Sequence, residues 1–72
     1  MPNLPGVSGR RAVKALERLG FVFVRQKGSH VMLRRDNHGC VVPMHREINP
    51  WTLNGVLKQA GVEAAEFLAA LK

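Results

Sequence analysis

Two turn-forming clusters, Gly28-Ser29 and Asp36-Asn37-His38-Gly39, cut the middle of this chain into pieces too short for helices. Phe21-Val22-Phe23-Val24 is β-branched and aromatic throughout and leads through Arg25, Gln26 and Lys27 into the first turn, which predicts a strand. Residues 30–35 alternate between His30, Met32 and Arg34 on one side and Val31, Leu33 and Arg35 on the other. Cys40, Val41 and Val42 make a third strand after the second turn. Two hairpins in series give a three-stranded antiparallel meander. The faces of the first strand stay undecided, because Phe21 and Phe23 share parity with Arg25 and Lys27.

Helical signals bracket the meander. Ser8 is placed to cap a segment in which Ala12, Val13, Leu16 and Leu19 recur at helical spacing. Arg10, Arg11, Lys14, Glu17 and Arg18 fill the rest of that cylinder, and Gly20 stops it. Asn49 before Pro50 starts a second helix, since proline at the first helical position gives up only an amide that lacks an intrahelical partner. Leu53, Val56, Leu57 and Ala60 form its apolar face and Gly61 its end. Val62, Phe67, Leu68 and Leu71 lie in a last, alanine-rich helical stretch with Glu63 at its positive end. The expected fold is α+β in the order α-β-β-β-α-α. With 72 residues, 46% of them apolar, there is material for one domain over residues 1–72 and not for two. The first seven residues read as a linker.

Charge is unevenly spread. Residues 1–45 hold eight basic and two acidic side chains and so carry the whole net charge of +6, whereas residues 46–72 hold three of each. The positive field belongs to the first helix and the sheet, and it points to a polyanion or an acidic protein as partner. A lone cysteine, Cys40, closes no intrachain disulfide, and three histidines without carboxylates at ligand spacing make no metal site. The single thiol suits a reducing cytosol. The opening residues lack a basic stretch followed by an apolar core, and no apolar run approaches the roughly 20 residues of a membrane helix. A cytoplasmic protein without metal, cofactor or membrane partner is the expectation.

The meander itself gathers a candidate site. The turn between the first two strands, the start of the second and the end of the third lie at one end of the sheet, which brings Lys27, Gly28, Ser29, His30, Met44 and His45 together. The second helix begins nearby at Asn49, its positive end suited to a phosphate. RNA carries its own nucleophile, the 2′-hydroxyl, so cleaving it needs a proton acceptor, charge stabilisation and a proton donor, and no metal. Histidine is the natural proton carrier near neutral pH, and His30 is the candidate. Taken alone it is an ordinary strand-end histidine; its cationic neighbourhood is what gives it weight. His45 is placed to protonate the leaving group or orient the phosphate, and equally well placed for a plain loop role. His38 belongs to a polar turn at the far end. Cys40 reads as a buried strand residue rather than a nucleophile. Trp51 fits base stacking, a grip on a protein partner, or packing over the sheet edge.

Val24-Arg25-Gln26-Lys27-Gly28-Ser29-His30, followed by Val42-Pro43-Met44-His45 and by Thr52-Leu53 leading to Leu57-Lys58-Gln59-Ala60-Gly61, resembles the HicA family of bacterial toxins. The likeness covers nearly the whole chain, about residues 4–71. A bare Gly-Ser-His is a weak signal; the ordered set is a strong one. Where that family commonly has Gly-Thr-Leu and a basic residue, this chain has Trp51, Thr52, Leu53 and Asn54, with Gly55 inside the helix. The resemblance implies a fold like a double-stranded-RNA-binding domain and ribosome-independent cleavage of mRNA. It makes His30 catalytic, with Gly28 and Ser29 shaping the site, and implies a HicB-like antitoxin as inhibitory partner. Around His30 the expected RNA-binding or inhibitor-binding groups are Arg25, Lys27, Arg34 and His45. Two other readings stand beside this one: a basic RNA-binding module without catalysis, and an interaction protein whose positive face docks an acidic partner.

Overall fold

A computed structural model describes residues 4–72. Its elements are α1 (Gly9–Arg18), β1 (Val22–Lys27), β2 (His30–Arg35), β3 (His38–Pro43), α2 (Pro50–Ala60) and α3 (Ala64–Ala70), in the α-β-β-β-α-α order of the sequence reading. The three strands form one antiparallel sheet with β2 in the centre.

Local chemistry sets each helix boundary. Ser8 Oγ accepts from the Arg11 amide at 3.1 Å, and Asn49 Oδ1 accepts from the Trp51 amide at 2.8 Å, so both predicted caps form. Glu63 and Glu66 close a reciprocal capping box at the start of α3. Seven residues are too few to hold a helix unaided. Phe67, fully buried, anchors α3 to the core, and Arg18 Nη1 donates to the carbonyls of Ala70 and Lys72 at 2.7 and 2.9 Å. Arg35 is likewise structural: it donates to Leu19 O at 2.8 Å and lies 4.7 Å from the Phe21 ring centroid. Two of the eight basic residues in the first 45 thus tie elements together.

Val31 and Leu33 of β2 pair with Val42 and Cys40 of β3, and these four face the helices. Against them pack Ala12, Ala15 and Leu16 of α1 and Leu53, Leu57 and Ala60 of α2. The opposite face of the sheet carries His30, Met32 and Arg34 and is left open. All six residues of β1 are exposed, so the helical layer covers β2 and β3 and stops short of β1.

Two expectations need correction. The first seven residues are not all linker: Leu4 and Val7 are buried, and Val7 bridges Ile48, whose amide donates to Val7 O at 2.7 Å. That strap fixes the loop between β3 and α2 from outside; residues 1–3, the rest of the expected linker, lie outside the described residues. The second turn is also tighter than predicted, since β3 begins at His38 and leaves only Asp36 and Asn37 as the loop. Asp36 makes this possible by adopting a φ of 54°, a region that Asp tolerates better than most residues.

Candidate functional site

Whether β1 helps form a site depends on which way its side chains point. In a regular strand Phe23, Arg25 and Lys27 would share one face. The pairing shifts between Phe23 and Arg25, with Phe23 opposite Leu33 but Arg25 opposite Met32 and Lys27 opposite His30. Val24 is the extra residue of a β-bulge, and it reverses the phase of everything after it. Phe23 therefore shares the helix-side face with Leu33, while Arg25 and Lys27 join His30 and Met32 on the open one. Arg25 Nε lies against Met32 Sδ at 3.1 Å, which lays the guanidinium across that face.

The Gly28-Ser29 loop has positive φ (59°) only at its first position, as a type II′ hairpin requires. No atom lies within 4 Å of where a Gly28 Cβ would be, so glycine is needed there for its backbone conformation alone. Ser29 O accepts from the Met44 amide at 2.6 Å, which ties this hairpin tip to the segment leaving β3. His45 follows directly, and its carbonyl accepts from the Gly9 amide at 2.9 Å. The first residue of α1 presses so close that a Cβ on Gly9 would collide with Pro43 O and stand 2.6 Å from Met44 Cα. Gly28 stands out in the sequence and Gly9 does not, because glycine at a helix start normally draws no notice.

These contacts leave two open cavities that meet at His30. One, of about 450 Å³, lies on the open face of β1 and β2 and is lined by Arg25, Lys27, Gly28, Ser29 and Met32. The other, of about 370 Å³, lies between β3 and α2, walled by Pro43 on one side and by Thr52, Val56 and Gln59 on the other, with His45 on its lining. His30 and Val41 belong to both. The expected cluster of Lys27, Gly28, Ser29, His30 and His45 is thus assembled, divided between adjoining cavities, with Met44 held by its bond to Ser29. Arg34 shares the open face but stands about four residues along β2 from His30, roughly 13 Å, and its Nε donates to Asp36 O at 3.0 Å. It lines neither cavity.

The remaining candidates separate cleanly. His38 sits at the far end of the sheet, its ring beside Gly61. Cys40 is buried, and burial pushes its thiol up to about 11, so it is protonated and shielded rather than nucleophilic. Trp51 is 59% exposed and lines neither cavity. Among the described residues, no three His, Cys, Asp or Glu gather as a metal-binding group. No helix among them is long and apolar enough to cross a membrane. Thr52, Val56 and Gln59 were not anticipated as site residues. Their spacing along α2 reads as one helical face, but only the packing of α2 against β3 shows that this face borders His30.

The model of the family described as "HicA toxin of bacterial toxin-antitoxin" matches residues 9–62, three quarters of the chain. The chain belongs to the HicA toxin family. No individual curated protein matches it. The matched stretch takes in α1, all three strands and α2, and with them every residue lining the two cavities; α3 falls beyond it. Membership makes this HicA chain the toxin side of a toxin–antitoxin pair, and with that role comes a partner antitoxin.

Proposed function

We propose that the chain is an endoribonuclease that cleaves mRNA without the ribosome and without a metal, with His30 as its catalytic residue. The observation that carries this reading is the position of His30, exposed at the start of β2 where a cationic cavity bearing Arg25 and Lys27 meets a second cavity bearing His45. In this mechanism the 2′-hydroxyl of the substrate loses its proton to an imidazole and its oxygen attacks the adjacent phosphorus. The bond from phosphorus to the 5′-oxygen breaks, and that oxygen takes a proton from the second imidazole. The products are a 2′,3′-cyclic phosphate and a 5′-hydroxyl end. Arg25 and Lys27 neutralise the charge that builds on the phosphate oxygens. Water supplies nothing in this step, which is why a shallow, open site suffices.

Replacing His30 by Ala removes a positioned acid–base group, for which a rate loss of about 10²- to 10⁴-fold is expected. The exposed side chain contributes little packing, so the variant should melt at the temperature of the parent. His38→Ala should leave cleavage unchanged. Purified protein incubated with RNA in EDTA is the direct assay; a folded His30→Ala chain that cuts RNA at the parental rate ends the proposal. The basic module without catalysis would bind RNA and never shorten it.

The partner in this reading is a HicB-like antitoxin that covers His30 and offers carboxylates to Arg25 and Lys27. One interface then blocks the catalytic group and displaces RNA phosphates. RNA and antitoxin should compete for the His30→Ala chain. A stable ternary complex with RNA still on the open sheet face would place inhibition elsewhere.

A further inference from the structure

The two cavities at His30 differ in chemistry, and the difference has the pattern of a nucleotide. The one on β1 and β2 carries Arg25 and Lys27. The one between β3 and α2 has no lysine, arginine or carboxylate on its lining; apart from the histidines it presents Val41, Pro43 and Val56 as apolar surface and Thr52 and Gln59 as hydrogen-bonding groups. Its volume of about 370 Å³ falls in the roughly 300–1,000 Å³ range of small-molecule sites. Aliphatic walls with an amide and a hydroxyl at the rim suit the flat faces and polar edge of a nucleobase, and an unpaired base in single-stranded RNA offers that edge.

We infer that the cleft between β3 and α2 is a base subsite, receiving the nucleobase next to the scissile phosphate and reading its edge through Gln59 and Thr52. The inference rests on the RNA-cleaving reading above and extends it to sequence preference. Gln59 is pre-oriented for this role, because its Oε1 faces the Val41 amide at 3.4 Å, on the outer edge of β3. That contact occupies the carbonyl side of the amide and leaves the NH2 as the group to meet a base acceptor. Thr52, two turns earlier on the same face of α2, supplies a hydroxyl that both donates and accepts. No aromatic ring lines the cleft apart from the two imidazoles, so recognition depends on edge contacts and shape rather than on stacking.

The test uses the His30→Ala chain, which holds RNA intact, titrated with heptanucleotides of A, C or U; in a homopolymer every register places the same base in the cleft. Gln59→Glu keeps an oxygen for the Val41 amide and replaces the donor by an acceptor. It should lower affinity for oligo(U), whose O2 and O4 accept, by fivefold or more relative to oligo(A), within the roughly 5- to 150-fold discrimination that paired base-edge contacts give. Thr52→Val should narrow the spread among the three oligonucleotides. Arg25→Glu should weaken all three alike. The Gln59 side-chain amide resonances should shift on binding, and thermal melts of each variant confirm that it is folded. Unchanged ranking in both cleft variants, with the Gln59 resonances unmoved while RNA binds, overturns the base subsite and leaves the nuclease reading intact. Failure of all three oligonucleotides to bind overturns both. Loss of antitoxin affinity in the cleft variants without any change in RNA ranking assigns the cleft to the protein partner and overturns the inference as well.

Discussion

Gly9→Ala should destabilise the chain, against the helix-propensity rule. Gly9 is the first residue of α1, and alanine in a helix interior gains roughly 0.5–1 kcal/mol over glycine, somewhat less at an end. Here the added methyl collides with Pro43 O and meets Met44 Cα at 2.6 Å. Both atoms are backbone, so neither can swing aside as a side-chain tip would. Overpacking of this kind costs about 1–3 kcal/mol, which outweighs the propensity gain and leaves a net loss of about 1–2 kcal/mol. For a domain of this size each kcal/mol shifts Tm by about 4–8 °C, so a drop of roughly 4–16 °C is expected. Gly55 is the control: it lies inside α2, has open space within 4 Å of where a methyl would stand and no positive φ, and Gly55→Ala should raise Tm by a few degrees. The assay is thermal unfolding of both variants in one buffer. A second measurement reports on the site, because separating α1 from β3 strains the bond between the Gly9 amide and His45 O. RNA cleavage should fall in Gly9→Ala below the unfolding transition and stay at the parental rate in Gly55→Ala. If Gly9→Ala is stabilised to the same degree as Gly55→Ala, the close approach of α1 to β3 does not constrain this position and overpacking is refuted as the reason for glycine there.

RNA affinity should fall with salt at about 0.7 log units per phosphate contact, and Arg25→Glu or Lys27→Glu should each flatten that slope by about one contact while Lys58→Glu, outside both cavities, leaves it unchanged. Cys40, with its thiol raised from 9.0 to about 11 by burial, should resist a thiol reagent in the native state. The folded chain keeps that proton where the unfolded chain loses it, so the contribution is full below pH 9 and is lost between about pH 9 and 11; urea melts across that window should show stability falling by at most roughly 1.4 kcal/mol per pH unit. Deleting Val24 should preserve RNA binding, since Phe23 would still pair with Leu33 and Arg25 with Met32 in a regular strand. Loss of binding by a folded deletion variant would mean that the bulge does more than set the phase.

What could be read from the sequence divides according to the range of the interactions responsible. Ser8, Asn49-Pro50, Gly61 and the Gly28-Ser29 turn act within a few residues, and each does what its chemistry predicts. The alternation in β2 was equally legible because both faces of a central strand are specified, one by Val31 and Leu33 and the other by His30, Met32 and Arg34. β1 was not legible, because as an edge strand beyond the helices it buries nothing that would fix its phase. Its assignment depends on the partner register, and the Val24 bulge is a property of the pair rather than of either strand. The same limit hid the strap formed by Leu4 and Val7, whose partner Ile48 lies forty-one positions away in sequence from Val7, and the face of α2 that borders His30. Short-range rules therefore located the candidate histidine and its hairpin, whereas the surroundings that give His30 two different neighbourhoods came from long-range pairing. The bulge connects the two levels. The two-residue turn holds Lys27 opposite His30 and Arg25 opposite Met32 on the open face, and the extra residue Val24 lets Phe23, on the other side of the bulge, pair with Leu33 on the face of the helical layer.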